Sequence, residues 1–204
     1  MLEFGTGGRR GLMAPIGTNV LNERTMAESA RGLVNVLLAK EAGSGRKMSV
    51  VIAHDTRHNS PEFARVCARA IAAAGLDVWL FDSFRSTPLL SFAVRHLKCD
   101  AGIMITASHN PPSDNGFKCY NNLGGQVVPP DDSAIIDAVV ALADKPIPLA
   151  DFDSAVAAGQ VKMAPVAVDE AYQAAVLGES VSKARGLSIV YTPMHGVGGG
   201  SVGA

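Results

Sequence analysis

Met48-Ser49-Val50-Val51-Ile52-Ala53 runs straight into His54-Asp55-Thr56-Arg57-His58-Asn59. A short β-branched run with no polar alternation reads as a strand buried on both faces, and the polar cluster marks its end. Ser60-Pro61-Glu62 then supplies a helix N-cap, a first-turn proline and an acid at the positive helix end. Gly75 stops that helix. The next strand is residues 77–81, with Val78, Trp79 and Leu80 at its centre. Thr87-Pro88 caps a short helix ending near Leu97, and residues 101–106 are again fully apolar up to Thr106. Upstream, residues 22–40 carry Met26, Ala30, Leu33, Val34, Leu37 and Leu38 at helical spacing, stopped by Gly43 to Gly45.

Strand, helix, strand, helix, strand at this spacing requires crossovers, hence an α/β fold. It predicts a three-layer α/β/α arrangement with a mainly parallel mixed sheet. Residues 117–120 and 126–128 flank Asn121-Asn122-Leu123-Gly124-Gly125, which predicts an antiparallel edge hairpin. Asp131 and Asp132 open one more helix, to about Ala143. Pro146, Pro148 and Pro165 break up the next segment, read as a connector with one short helix. A helix over 169–176 and a strand over 187–191 follow. The chain closes on a glycine-rich turn with no helix expected after it.

Composition narrows the function. The chain has 204 residues, 48% hydrophobic and 18% charged, with 18 basic against 19 acidic side chains, a net charge of −1. That is a globular composition without the basic footprint of a nucleic-acid binder, so no nucleic acid is expected as a partner. Three cysteines, Cys67, Cys99 and Cys119, lie far apart without a CxxC pair, which argues for reduced thiols and a cytoplasmic location rather than a disulfide framework or structural zinc. No apolar run approaches the roughly 18–20 residues that span a bilayer, and Met1-Leu2-Glu3-Phe4 opens no signal-peptide core. A soluble protein with no membrane partner is expected.

Ligands of open α/β sheets bind beyond the carboxyl ends of the strands. Three such ends are polar here: 54–59, 82–86 and 107–116, the last being Ala107-Ser108-His109-Asn110-Pro111-Pro112-Ser113-Asp114-Asn115-Gly116. Ser108, stiffened by two prolines and near His109 and Lys118, suits a nucleophile or a phosphate carrier. A plain turn is the competing reading, because Ser and Asn satisfy backbone groups locally. A serine hydrolase is disfavoured: Thr106-Ala107-Ser108-His109-Asn110 lacks the flanking glycines of a nucleophile elbow. Gly198-Gly199-Gly200-Ser201-Val202-Gly203 formally matches GxGxxG without the helix and acid that a dinucleotide site needs. Gly5-Thr6-Gly7-Gly8-Arg9-Arg10-Gly11 fits neither that pattern nor a P-loop; its backbone N–H groups with Arg10 suit an anion, against the alternative of a poorly ordered terminus.

Three motifs then coincide in order: Phe4-Gly5-Thr6-Gly7-Gly8-Arg9-Arg10-Gly11, Thr106-Ala107-Ser108-His109-Asn110-Pro111 with Asn115-Gly116-Phe117-Lys118, and Tyr191-Thr192-Pro193-Met194-His195-Gly196-Val197-Gly198. Together they resemble the α-D-phosphohexomutase family (phosphoglucomutase/phosphomannomutase), nearest its phosphoglucomutase and phosphopentomutase branch. The resemblance implies a four-domain isomerase built around one cleft, of which this chain would be an N-terminal portion. Residues 1–145 would be domain I with the phosphoserine loop, 146–185 a connector, and 186–204 the start of domain II.

By the same resemblance, Ser108 carries a phosphoryl group that moves between the C1 and C6 (or C5) hydroxyls of a phosphosugar through a bisphosphate intermediate. Lys118 takes and returns the hydroxyl proton, Arg10 reaches the phosphoserine, and His109 is a nearby hydrogen-bonding group. Thr6, Asn110 and Asn115 are implied to contact substrate. Asp55 and Arg57 match an Asp-x-Arg strand end and are expected to form a structural ion pair. Mg²⁺, bound partly through the phosphate on Ser108, and an activator of the glucose 1,6-bisphosphate type are implied as cofactors, and the remaining mutase domains as partners in cis.

The departures are substantial. The family's Asp-Gly-Asp-x-Asp metal loop is absent; Asp151-Phe152-Asp153 is its nearest echo and reads as a helix start. The sugar-reading Gly-Glu-x-Ser-Gly and phosphate-binding Arg-x-Ser-Gly-Thr loops are also absent, Gly178-Glu179-Ser180-Val181 being a partial match only. Gly8-Arg9 replaces a commoner small-residue-then-leucine pair. The chain is therefore expected to be inactive alone, with a stand-alone, non-catalytic binding module derived from a mutase as the alternative.

Overall fold

The computed structural model describes residues 4–5, 8–42, 45–182, 184 and 186–203, with the side chains of 4 and 5 left aside. The buried run at 49–54 becomes β3 (Ser49–His54), in the interior of a sheet. It pairs in parallel with β4 (Asp77–Leu80) on one side and β5 (Ala101–Ile105) on the other. Helix α2 (Ser60–Ala72) connects β3 to β4, and α3 (Thr87–His96) connects β4 to β5.

The two faces of β3 feed different cores. Val50 and Ile52 pack with α1 (Glu23–Lys40), α2 and α4 (Asp131–Val140), whereas Val51 and Ala53 pack with Leu89, Leu90 and Val94 of α3. Every residue from Val50 to Ala53 is fully buried, which is why the run shows no alternation. Helices thus cover both faces, giving the three-layer α/β/α fold.

The sheet has seven strands in the order β1-β2-β6-β5-β3-β4-β7, with β1 at Phe4–Gly5, β2 at Gly8–Leu12, β6 at Asp114–Asn121 and β7 at Val161–Met163. Strands β5, β3, β4 and β7 are mutually parallel, while β6, β2 and β1 continue the sheet antiparallel. The antiparallel edge differs from expectation in its source. Residues 126–128 add one isolated bridge, Tyr120 to Gln126, and the N-terminal strand β2 occupies the place beside β6.

Other differences have local causes. The cap of α2 is Asn59, in the left-handed region at φ 62°, and Ser60 is the first helical residue because its hydroxyl is engaged by Asp55 and Asn115. Ser86, one residue before Thr87, caps α3. The proline-broken segment contributes more than a connector. Asp151 caps α5 (Phe152–Ala157), as its Asp-Phe-Asp spelling suggested, and β7 then joins the sheet edge beside β4. Only Val161 of β7 is buried, too little pattern to see in sequence. Helix α6 (Ala167–Gly178) follows, anchored by Arg85 on Asp169 at 2.7 Å.

Residues 187–191 form no strand. Leu187, Ile189 and Val190 are 86%, 79% and 99% exposed, and no strand among the described residues pairs with them. The glycine turn does lead into a helix, the four-residue α7 (Gly199–Val202). Among the described residues, no helix is long and apolar enough to cross a membrane.

Candidate active site

The ends of β3 and β5 are neighbours, and the helices after β3 and β4 lie on opposite faces of the sheet. Ligands of open α/β sheets bind beyond the carboxyl ends of the strands at such a reversal, and Ser108 lies three residues past the end of β5. The residue sits in the left-handed region at φ 57°, a conformation that costs an L-residue other than glycine about 1–2 kcal/mol. Its surroundings hold it there. Ser108 N donates to Thr106 Oγ1 at 3.0 Å, Asn110 N to Ala107 O at 3.1 Å, and Asp114 N to Pro111 O at 3.0 Å.

Lys118 arrives from the neighbouring antiparallel strand, and its Nζ donates to Ser108 Oγ at 2.8 Å. Burial, then the positive charge of Arg10, push the Lys118 pKa down, with Asp55 opposing. A lysine poised this way gives up its proton more readily than a surface lysine, which suits acid–base work. Arg10 is exposed on β2, and its side chain makes no hydrogen bond or ion pair among the described residues. Its planar fork of five donors remains available for an anion.

Gly116 explains how tightly the strands meet behind the loop. A Cβ at this position would press on the carbonyl oxygens of Thr106 and Arg9, on the strands at either side. The Asn-Gly-x-Lys spelling therefore has a packing reason as well as a chemical one.

Asn115, expected to touch substrate, is fully buried in this arrangement. Its amide donates to Ser60 Oγ at 2.9 Å and His58 O at 3.1 Å, tying the loop to the start of α2. The Asn110 amide donates to Asp114 Oδ2 at 2.8 Å, within the loop. His109 is exposed, and its ring makes no hydrogen bond among the described residues. Thr6 lies outside the described residues. The Asp55–Arg57 ion pair is present at 3.3 Å, and the Arg57 guanidinium also reaches four loop carbonyls, a role no sequence pattern disclosed. Sequence reasoning also passed over Arg9, whose side chain is buried beneath β2 against Glu28, Thr25 and Ser29 of α1.

Donors for a divalent cation are sparse. Among the described residues no group of three or more His, Cys, Asp or Glu side chains could hold a metal ion. Of the carboxylates by the loop, Asp55 is engaged by Arg57 and Ser60, and Asp114 by Asn110. The residues present do not by themselves fit Mg²⁺, which demands near-octahedral oxygen coordination. Ser108 could contribute one phosphate oxygen, and carboxylates would have to come from elsewhere.

Residues 1–145 match the family model described as phosphoglucomutase/phosphomannomutase, alpha/beta/alpha domain I. The chain belongs to this family. A phosphoglucomutase of Staphylococcus epidermidis is 45% identical over 139 residues, covering 68% of this chain and 24% of that protein. A human phosphopentomutase is 35% identical over 208 residues, covering 97% of this chain and 34% of that protein. Among solved structures, a Thermus thermophilus protein assigned as a phosphomannomutase superposes with a TM-score of 0.70 at 33% identity, over 87% of this chain and 36% of that one. The chain therefore spans about a quarter to a third of the length of these phosphoglucomutase/phosphomannomutase relatives.

Proposed function

We propose that this chain is the phosphoserine-bearing portion of a phosphosugar mutase, an intramolecular phosphotransferase of the isomerase class. The observation that carries the proposal is the 2.8 Å contact of Lys118 Nζ with Ser108 Oγ, held left-handed in the loop beyond the carboxyl end of β5. Phospho-Ser108 gives its phosphoryl group to a hydroxyl of the sugar phosphate. The sugar oxygen bonds to phosphorus while the bond from phosphorus to Ser108 Oγ breaks. Neutral Lys118 takes the hydroxyl proton and is near enough to Ser108 Oγ to deliver a proton to that leaving oxygen. The resulting bisphosphate turns round and returns its other phosphoryl group to Ser108, with the protons moving in reverse.

Arg10 offsets charge on the phosphoryl group in transit, where fixed cations act with little reorganisation. His109, Thr6 and Asn110 remain as contacts to the bound sugar phosphate. Transfer between C1 and C6 (or C5) hydroxyls is proposed by analogy with relatives named phosphoglucomutase and phosphopentomutase. Mg²⁺ and a glucose 1,6-bisphosphate-type activator belong to the proposal as family expectations, and no step here is routed through the metal. A cytoplasmic setting fits the chemistry and the reduced thiols.

Because this chain brings one loop of the family's set, it is proposed not to turn over alone, the other mutase domains being required in cis. A coupled phosphoglucomutase assay on the purified chain tests that division. No turnover is expected; turnover at the rate of an intact mutase would overturn it. The proton-transfer role is tested in the intact mutase by following phosphoryl uptake at Ser108 from glucose 1,6-bisphosphate in buffer containing Mg²⁺. Lys118→Met should slow uptake by about 10²–10⁴-fold, the usual worth of a positioned acid–base group, and an unchanged rate would remove Lys118 from the mechanism.

A further inference from the structure

Arg57 bonds the serine backbone, Arg10 acts on Lys118 through its charge, and their donor inventories differ. A guanidinium has five N–H groups. Nη1 of Arg57 donates to Pro111 O at 2.7 Å and Asp114 O at 3.1 Å, and Nη2 donates to Ser108 O at 2.9 Å and Asn110 O at 2.7 Å. The fifth donor, on Nε, faces Asp55 Oδ2 at 3.3 Å. Every donor of Arg57 is committed. Arg10 has none committed among the described residues.

The partners of Arg57 are themselves fixed. Asp55 Oδ1 accepts from Arg57 N at 3.0 Å and from Ser60 Oγ at 2.7 Å. Ser60 Oγ in turn accepts from Asn115, at the far end of the serine loop. A closed circuit therefore runs from the end of β3 through Arg57 to the loop, and back through Asn115 and Ser60 to Asp55. It is built on buried Asp55, Ser60 and Asn115.

We infer that Arg57 is a positioning residue for Ser108 and does not bind the phosphoryl group. Its guanidinium gathers the carbonyls of the loop onto the end of β3, holding Ser108 left-handed with Oγ against Lys118. Because all five donors face carbonyls or Asp55, adding or removing a phosphoryl group on Oγ leaves this hold unchanged. The inference rests on the reading of Ser108 as phosphoryl carrier only for its functional consequence.

The test is amide hydrogen exchange on the 204-residue chain with Arg57→Gln and Arg57→Lys, together with saturation kinetics of phosphoryl uptake at Ser108 from glucose 1,6-bisphosphate by the intact mutase carrying the same substitutions. In Arg57→Gln, exchange of the amides of 108–116 should rise about tenfold or more while β3, β5 and the helices keep their protection. Arg57→Lys should not restore the loop, since one ammonium cannot span carbonyls from Ser108 to Asp114. The saturating rate of uptake should fall about tenfold or more, because small misplacements of a reacting atom are costly, and the half-saturating bisphosphate concentration should hold. Unchanged loop exchange would overturn the inference, and so would a rise spread over the whole domain. Full rescue by lysine, or a raised half-saturating concentration at an unchanged rate, would also overturn it. Failure of the wild-type intact mutase to take up any phosphoryl group would strike the carrier reading of Ser108, leaving hydrogen exchange to decide the role of Arg57.

Discussion

Lys118 Nζ donates to Ser108 Oγ across 2.8 Å, although Ser108 stands in the loop after β5 and Lys118 lies within β6. The register makes the meeting possible. Met104 pairs with Lys118, so the lysine points from the sheet four residues before the serine, and the chain has to turn back to meet it. The left-handed backbone at Ser108 provides that turn.

The depressed Lys118 pKa has a consequence for stability. Burial acts first and Arg10 second, lowering the folded value below the ordinary 10.5. At pH below the folded pKa the wild type carries the full penalty of a charged, partly desolvated lysine. As pH rises from the folded value to 10.5, the unfolded chain holds more protons than the folded one, so stability rises with pH. Denaturant melts of wild type and Lys118→Met should therefore differ in the wild type's disfavour near neutrality, with the wild type gaining as pH approaches 10.5. A gap that widens with pH would contradict the shift.

The buried pair beneath β2 is a second target. Arg9 Nη1 lies 3.5 Å from Glu28 Oε2, and both side chains are almost wholly inaccessible. Burial pushes the Arg9 pKa down, with Glu28 opposing. Glu28→Ala strands the guanidinium and should cost about 3–5 kcal/mol, whereas replacing both residues by methionine should recover most of that loss. Urea denaturation of the single and double variants measures it.

Gly116→Ala would drive a methyl group into the Thr106 and Arg9 carbonyl oxygens. Backbone on both sides leaves no flexible group to yield, so a loss of about 1–3 kcal/mol or more is expected. A thermal melt of the variant checks this, and an unchanged midpoint would show that the strands separate easily.

All three thiols are buried. Burial raises the Cys99 pKa to about 11 and pushes Cys67 and Cys119 higher still. A thiolate-selective disulfide reagent at mildly alkaline pH should leave the native chain unlabelled and label all three cysteines after denaturation. Labelling of Cys67 or Cys119 ahead of unfolding would contradict the packing.

The central βαβαβ order was legible because Val50 to Ile52 and Ala101 to Ile105 are buried on both faces and carry that fact in composition. The serine loop was legible because its spelling is specific. What was hidden depends on partners distant in sequence. Ser60 reads as a cap until Asp55 and Asn115 claim its hydroxyl. Arg9 shows in sequence only as a departure from a motif, and its buried pairing with Glu28 depends on α1 covering it. β7 has a single buried side chain to announce it, and β2 displaces the expected hairpin partner only because the N-terminus returns to the far edge of the sheet. Residues 187–191 show the converse: strand-like composition forms no strand where no partner edge is present among the described residues.

Intact-mass analysis of the protein isolated from its own cells, with the site mapped by fragmentation and compared with Ser108→Ala, bears most directly on the account. One phosphoryl adduct on Ser108, lost in the variant and restored to the dephosphorylated wild type by glucose 1,6-bisphosphate, is the predicted result. An adduct that survives Ser108→Ala, or a wild type that never accepts one, would contradict the assignment of Ser108 as the phosphoryl carrier.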